Sequence, residues 1–152
     1  MKKIGDLKNS FLCALKGLFL VINKERNFKI HIVVSIYVLY FSKYYNLKKI
    51  EYLILILTIA LVMCLEIVNT VIENIVDYLS PKYSTFAKNT KDIAADGVLV
   101  AAILAVIIGL ILFLDIDIII FIIRHIIFCF RNLILFLVSI ILSVIFIKKN
   151  KY

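Results

Sequence analysis

Proline and glycine are scarce in this chain, one and four in 152 residues, which leaves little room for long irregular loops. No alternation of apolar and polar residues is sustained anywhere, so a sheet is not expected. Polar surface is scarce too: 64% of the residues are hydrophobic, with a mean hydropathy of +1.07. A water-soluble domain of this length needs more polar residues than that, and the class left is an integral membrane protein. The expectation is an all-helical chain in which each segment satisfies its own backbone. Cysteine is limited to Cys13, Cys64 and Cys129. An odd count without C-x-x-C spacing excludes a disulfide frame or zinc site and leaves small buried side chains. No glycine-rich phosphate loop occurs, nor does a small-residue cleavage site follow the charged N-terminal segment, so no removed signal peptide is expected.

Basic residues outnumber acidic ones, 18 to 10, for a net charge of +8. The lysines gather at segment ends without interleaved aromatics, which suits an anionic membrane surface and not nucleic acid. Residues 4–24 place Phe11, Leu12, Leu15, Leu18, Phe19 and Ile22 at helical spacing among Lys8, Lys16 and Lys24. This pattern predicts a basic amphipathic helix on the membrane surface, or one packed on the bundle. Crossings are expected at about 30–45, 53–72 and 93–114. Pro81 ends the second helix, a polar connection follows, Thr90 caps the third, and Asp92 sits in its first turn near the positive end of the dipole. Residues 118–147 are too long for one straight span and are interrupted by Arg124, His125, Arg131 and Asn132. They read as an interfacial piece at 118–130 and an extra C-terminal membrane helix at 133–147, anchored by Lys148 and Lys149. The expected organisation is one membrane domain over 1–114 and an additional hydrophobic segment over 115–152.

Orientation follows from Lys and Arg counts: seven in the N-terminal segment, three in 78–91, three after Ile147, three in 42–51 and none in 115–117. The positive-inside rule puts the N-terminus and the 78–91 connection in the cytoplasm, although the lysines of 42–51 work against it.

Within this apolar frame the acids stand out. Residues 52–65 carry no charge, and the chain then reads C-L-E-I-V-N-T-V-I-E-N-I-V-D. At about 100° per residue, Glu66, Glu73 and Asp77 fall within about 40° of one another, with Asn69 about 60° to one side. A lipid-facing carboxylate at this depth costs several kcal/mol, so these residues are expected to face protein or water. The topology brings Glu25, just before the first crossing, and Lys91-Asp92, at the start of the third, to the same membrane face. Carboxylates without cysteine or clustered histidine suit a hard cation such as Mg²⁺ together with nucleotide phosphates, and a lysine at a helix start suits phosphate. Glu66, deeper than the rest, is placed to take a proton from a hydroxyl at the lipid interface. These are the parts of phosphoryl transfer. Simpler readings compete at each position: Glu25 as a partner of Lys29, Asp92 as a helix-start residue, Glu73 and Asp77 as a solvated helix end, and Glu66 as the structural partner of a lysine.

The residues also carry a resemblance. E-x-x-N-T-x-I-E-x-x-V-D at 66–77 followed by K-D-x-A-A at 91–95 resembles the signature of the prokaryotic diacylglycerol kinase/undecaprenol kinase family. E-R-N-F-x-I-H at 25–31 and S-F-x-x-A-x-x-G at 10–17 are similar to it as well. The resemblance implies a homotrimeric kinase of the bacterial cytoplasmic membrane. It would use ATP and Mg²⁺ at composite sites on the cytoplasmic side. It further implies Glu66 as general base, Glu25 and Glu73 as metal carboxylates, and Asn69, Asp77, Lys91 and Asp92 as nucleotide- and site-organising groups. Asn69-Thr70 and the 25–31 motif look like the undecaprenol-using branch, with diacylglycerol the alternative acceptor. Asp96-Gly97 departs from the small apolar residues usual after K-D-x-A-A. A reading from another class is a non-catalytic transporter or channel subunit whose acids bind a cation. It gives no reason for Lys91-Asp92 at a helix start.

Overall fold

A computed structural model describes residues 2–82, 84–128 and 130–149, and the side chains within them except those of 2–6 and 130. Cys129 lies outside the described residues. Among the described residues the chain forms α1 (Lys2–Lys24), α2 (Arg26–Phe41), a 3-10 turn (Ser42–Tyr44), α3 (Lys49–Leu79), α4 (Thr85–Phe113), α5 (Ile116–Phe128) and α6 (Phe130–Lys148), with no strand. The all-helical membrane class expected from composition is the observed one.

On α1 the apolar side chains are not covered by protein: Leu7, Phe11 and Phe19 are exposed. That is the behaviour of an amphipathic helix whose apolar face is meant for lipid. Its end is tied to the bundle where Lys24 Nζ donates to Asn74 Oδ1, 2.5 Å away on α3. Three helices are each long and apolar enough to cross a membrane, α3, α4 and the Arg131–Lys148 part of α6. The first expected crossing, α2, has only 16 residues, or about 24 Å of helix against a hydrocarbon core of about 30 Å. Its far end continues into the 3-10 turn, where Tyr40, Tyr44 and Tyr45 form an aromatic rim of the kind favoured at a membrane interface.

The α3–α4 pair makes the most extensive helix contact, and α2 lies against α3 on one side and α6 on the other. Apolar packing centres on Phe28, Leu55, Val62 and Ala101. Buried hydroxyls on α3 are satisfied by their own helix: Thr58 Oγ1 donates to the Ile54 carbonyl at 2.7 Å and Thr70 Oγ1 to the Glu66 carbonyl at 3.0 Å. Such back-bonding lets a polar residue sit in an apolar helix without a distant partner. The turn between α2 and α3 holds Asn46 at φ 44°, a left-handed conformation that asparagine tolerates better than most residues. Glu51, one turn into α3, accepts the Lys48 backbone N–H at 2.6 Å and so closes the helix start.

One expected boundary is corrected. Pro81 does follow the end of α3, but the connection is short and α4 starts at Thr85 with Ser84 as its cap residue. Thr90 is inside the helix, donating to the Phe86 carbonyl at 2.9 Å. Asp92 is therefore two turns in, beyond the reach of the helix-end dipole, which fades after the first turn.

The C-terminal segment divides as expected, into α5 and α6. The Asp115 side chain caps α5 by accepting the backbone N–H groups of Asp117 and Ile118 at 3.1 and 3.2 Å. From there α6 runs back antiparallel to α2. Near the far end Tyr44 meets Phe121 and His125 of α5. Midway the Tyr37 hydroxyl bonds Ser139 at 3.0 Å and Ser143 at 3.3 Å, with Phe136 edge-on to the Tyr37 ring. At the near end the buried Lys29 ammonium donates to the Lys149 carbonyl at 2.5 Å and lies 5.9 Å from the centre of the Phe146 ring. His125 bonds Asn132 at 3.1 Å and stacks on Phe121, an aromatic contact at the segment's turning point.

Candidate functional site

The polar stripe of α3 begins at Glu66, near the middle of the helix, and ends at the face where α1 ends and α4 begins. Glu66 is only 3% exposed and Asn69 8%, while Glu73 is half-buried and Asp77 exposed. The stripe thus runs from a dry end to a wet one. A period of about 3.6 residues puts all four on the side that α3 turns toward its neighbours, not toward lipid.

The members are linked in register. Asn69 Nδ2 donates to Glu73 Oε1 at 2.9 Å, one helical turn along. Asp77 pairs with Lys91 of α4, tying the end of α3 to the second turn of α4. Glu25 stands at the N-cap of α2 in extended backbone conformation, between α1 and α2. The adjoining Lys24 reaches Asn74, which places Glu25 beside the stretch of α3 that carries Glu73. Asp92, exposed on α4, makes no hydrogen bond or ion pair with this group among the described residues.

Among the described residues, two buried side-chain oxygens have no hydrogen-bond partner: Glu66 Oε1 and Asn69 Oδ1. A buried acceptor without a donor costs about 1–3 kcal/mol, so such atoms mark places where a ligand completes the structure. Facing the Glu66 carboxylate is His31 of α2, whose Nε2 lies 3.8 Å from Oε1. His31 also lines a groove of about 360 Å³ between α2, α3 and α4, walled by Val62, Ala105, Gly109 and Phe113 among others. Sequence reasoning used His31 only as the last letter of the 25–31 motif. Its spacing six residues after Glu25 was the available signal, but its partner is on another helix.

Among the described residues, no three His, Cys, Asp or Glu side chains converge into a ready metal cage. Mg²⁺ does not need one, since it typically takes one or two carboxylates and completes its shell with phosphate oxygens and water.

The pattern described as prokaryotic diacylglycerol kinase matches residues 12–113. The chain belongs to that family. It is 39% identical over 105 residues to the undecaprenol kinase of Bacillus subtilis, covering 69% of this chain and 85% of that one. It is 41% identical over 105 residues to the diacylglycerol kinase of Synechocystis, covering 68% of this chain and 60% of that one. The protein is accordingly an ATP-dependent lipid kinase of a membrane. The family match stops at the last residue of α4, so α5 and α6 lie beyond it.

Proposed function

We propose that this kinase transfers the γ-phosphoryl group of ATP to undecaprenol, on the cytoplasmic side of a bacterial inner membrane. The observation that carries the reading is the buried Glu66 carboxylate with an unpartnered oxygen, set between a chain of polar groups along α3 and His31, which lines an apolar groove. A lipid alcohol and a nucleotide triphosphate need a meeting point of that character.

Glu66 is the general base. Its Oε1 takes the acceptor's hydroxyl proton as the alcohol oxygen bonds to the γ-phosphorus, and the bond from that phosphorus to the β–γ bridging oxygen breaks to release ADP. Glu25 and Glu73 are the carboxylates that would hold Mg²⁺. The set of oxygen donors around them, with an orphaned amide oxygen on Asn69 and no thiol, fits a hard cation. Bound Mg²⁺ supplies charge neutralisation on the phosphates. Asn69 orients Glu73, while Asp77 and Lys91 form the outer, phosphate-facing edge. Asp92, exposed on α4 next to Lys91 in sequence, is assigned to the nucleotide side.

A homotrimer with composite sites is what the resemblance of the 66–77 and 91–95 motifs implies. Support for undecaprenol comes from the Bacillus relative, most of whose length the match spans, and from Asn69-Thr70 with the 25–31 motif. The Synechocystis relative favours diacylglycerol as the second reading. Labelled ATP offered to purified protein with both alcohols in one mixed micelle decides between them. Label on undecaprenol is expected, label confined to diacylglycerol would reverse the assignment, and label on neither would reject both.

A further inference from the structure

His31 Nε2 and Glu66 Oε1 face each other at 3.8 Å. That is too long for a direct hydrogen bond, whose donor–acceptor distance is about 2.7–3.2 Å. It is a good span for a single oxygen atom lying within about 2.8 Å of both. Among the described residues Glu66 Oε1 has no hydrogen-bond partner and the Glu66 side chain is 4% exposed, while the His31 side chain is 24% exposed. Both groups belong to rigid helices, α2 and α3, packed against each other, so the gap is set by the fold and not by a loop. The same histidine lines the head of the groove that continues past Ser35, Thr58, Ala105 and Gly109 to Phe113, at the other end of the bundle. The small side chains of Ala105 and Gly109 leave that volume open, and no added Cβ at Gly109 would meet a neighbour within 4 Å.

Resting on the lipid kinase reading above, we propose that His31 is an acceptor-binding residue: its Nε2 and Glu66 Oε1 together cradle the lipid's hydroxyl, with the adjoining hydrocarbon chain entering the α2–α3–α4 groove. In this arrangement the hydroxyl donates its proton to Glu66 and accepts a hydrogen bond from His31 N–H through one lone pair. Its second lone pair is left for the phosphorus. His31 takes no proton in the step. It fixes the hydroxyl's direction, so that the hydrogen points at the base and the free lone pair points toward the polar side of the site, where the nucleotide sits. A single donor also selects for an alcohol over a lipid whose head group lacks a free hydroxyl, because the buried Glu66 oxygen would then be left unpaired.

The test separates acceptor from nucleotide. In His31→Ala the acceptor KM is expected to rise roughly three- to tenfold, the worth of one hydrogen bond, with the KM and binding constant for ATP·Mg²⁺ unchanged. His31→Gln, which keeps an N–H donor at similar reach, is expected to return the acceptor KM to within about twofold of the natural protein. Circular dichroism and size-exclusion profiles of both variants establish that they are folded. An unchanged acceptor KM in His31→Ala would overturn the proposal, as would an equal loss for ATP or a glutamine variant no better than alanine. Failure of the underlying reading is distinguishable, because then the unmodified protein labels no lipid alcohol at all.

Discussion

Helices α3 and α6 are nearly equal in mean hydropathy, 2.4 and 2.1 over their apolar windows, yet a third of the α3 window is buried and none of α6's. Both belong in a membrane, and the average says no more than that. What separates them is how polar groups are placed. On α3 four recur at helical spacing and point the same way, with one linked pair, two orphaned oxygens and an ion pair to α4. On α6 the polar residues between Asn132 and Lys148 are Ser139 and Ser143, and both are spent on their own helix and on Tyr37. A polar group in a bilayer with every hydrogen bond made is packing. One with a bond left over is a site.

Four substitutions or truncations would break or sharpen that contrast. The largest effect is expected from Glu66→Gln, which keeps shape and removes the base: lipid phosphorylation should fall at least about 100-fold, with ATP·Mg²⁺ still binding by equilibrium dialysis. Full turnover would remove Glu66 from its role. Next, Glu73→Ala should raise the Mg²⁺ concentration for half-maximal rate by roughly tenfold, the low end for a lost ligand or its support. An unchanged Mg²⁺ titration would move the metal away from Glu73. Ending the chain after residue 114 should leave phosphorylation within a small factor while lowering the midpoint of thermal unfolding in detergent, since α6 contributes the Tyr37 and Lys29 contacts but none of the site residues. A truncated protein that folds and is inactive would make α6 part of the machinery. The smallest change is Tyr37→Phe, which removes two hydroxyl contacts and should cost about 0.6 kcal/mol, visible as a small shift in that midpoint and no change in rate.

The polar stripe was legible because it depends only on the helical period, which one sequence displays in full. The membrane class was legible because it rests on composition. The start of α4 was misplaced by several residues for a physical reason. Residues 84–91 are polar because they stand in water at the membrane face, and polarity there does not mean irregular backbone. Ser84 and Thr90 are both competent caps, and local sequence does not choose between them. His31 was passed over because its partner is 35 positions away on α3, and the tether of Lys29 to Lys149 spans 120. Pairings across that distance are properties of the packed helices and leave no periodic mark.

If Lys91 meets the nucleotide as proposed, its ion pair with Asp77 bears on how tightly nucleotide is held. With Lys91 already facing a carboxylate, a triphosphate that reaches it exchanges one anionic partner for another and does not meet a bare cation. Part of the Coulombic gain is spent in displacing Asp77, which favours a ligand carrying several negative charges over one carrying a single charge. Nucleotide affinity at this edge is then a difference between two attractions. Added salt screens both, so selection among phosphates should depend less on ionic strength than a lone surface lysine would allow.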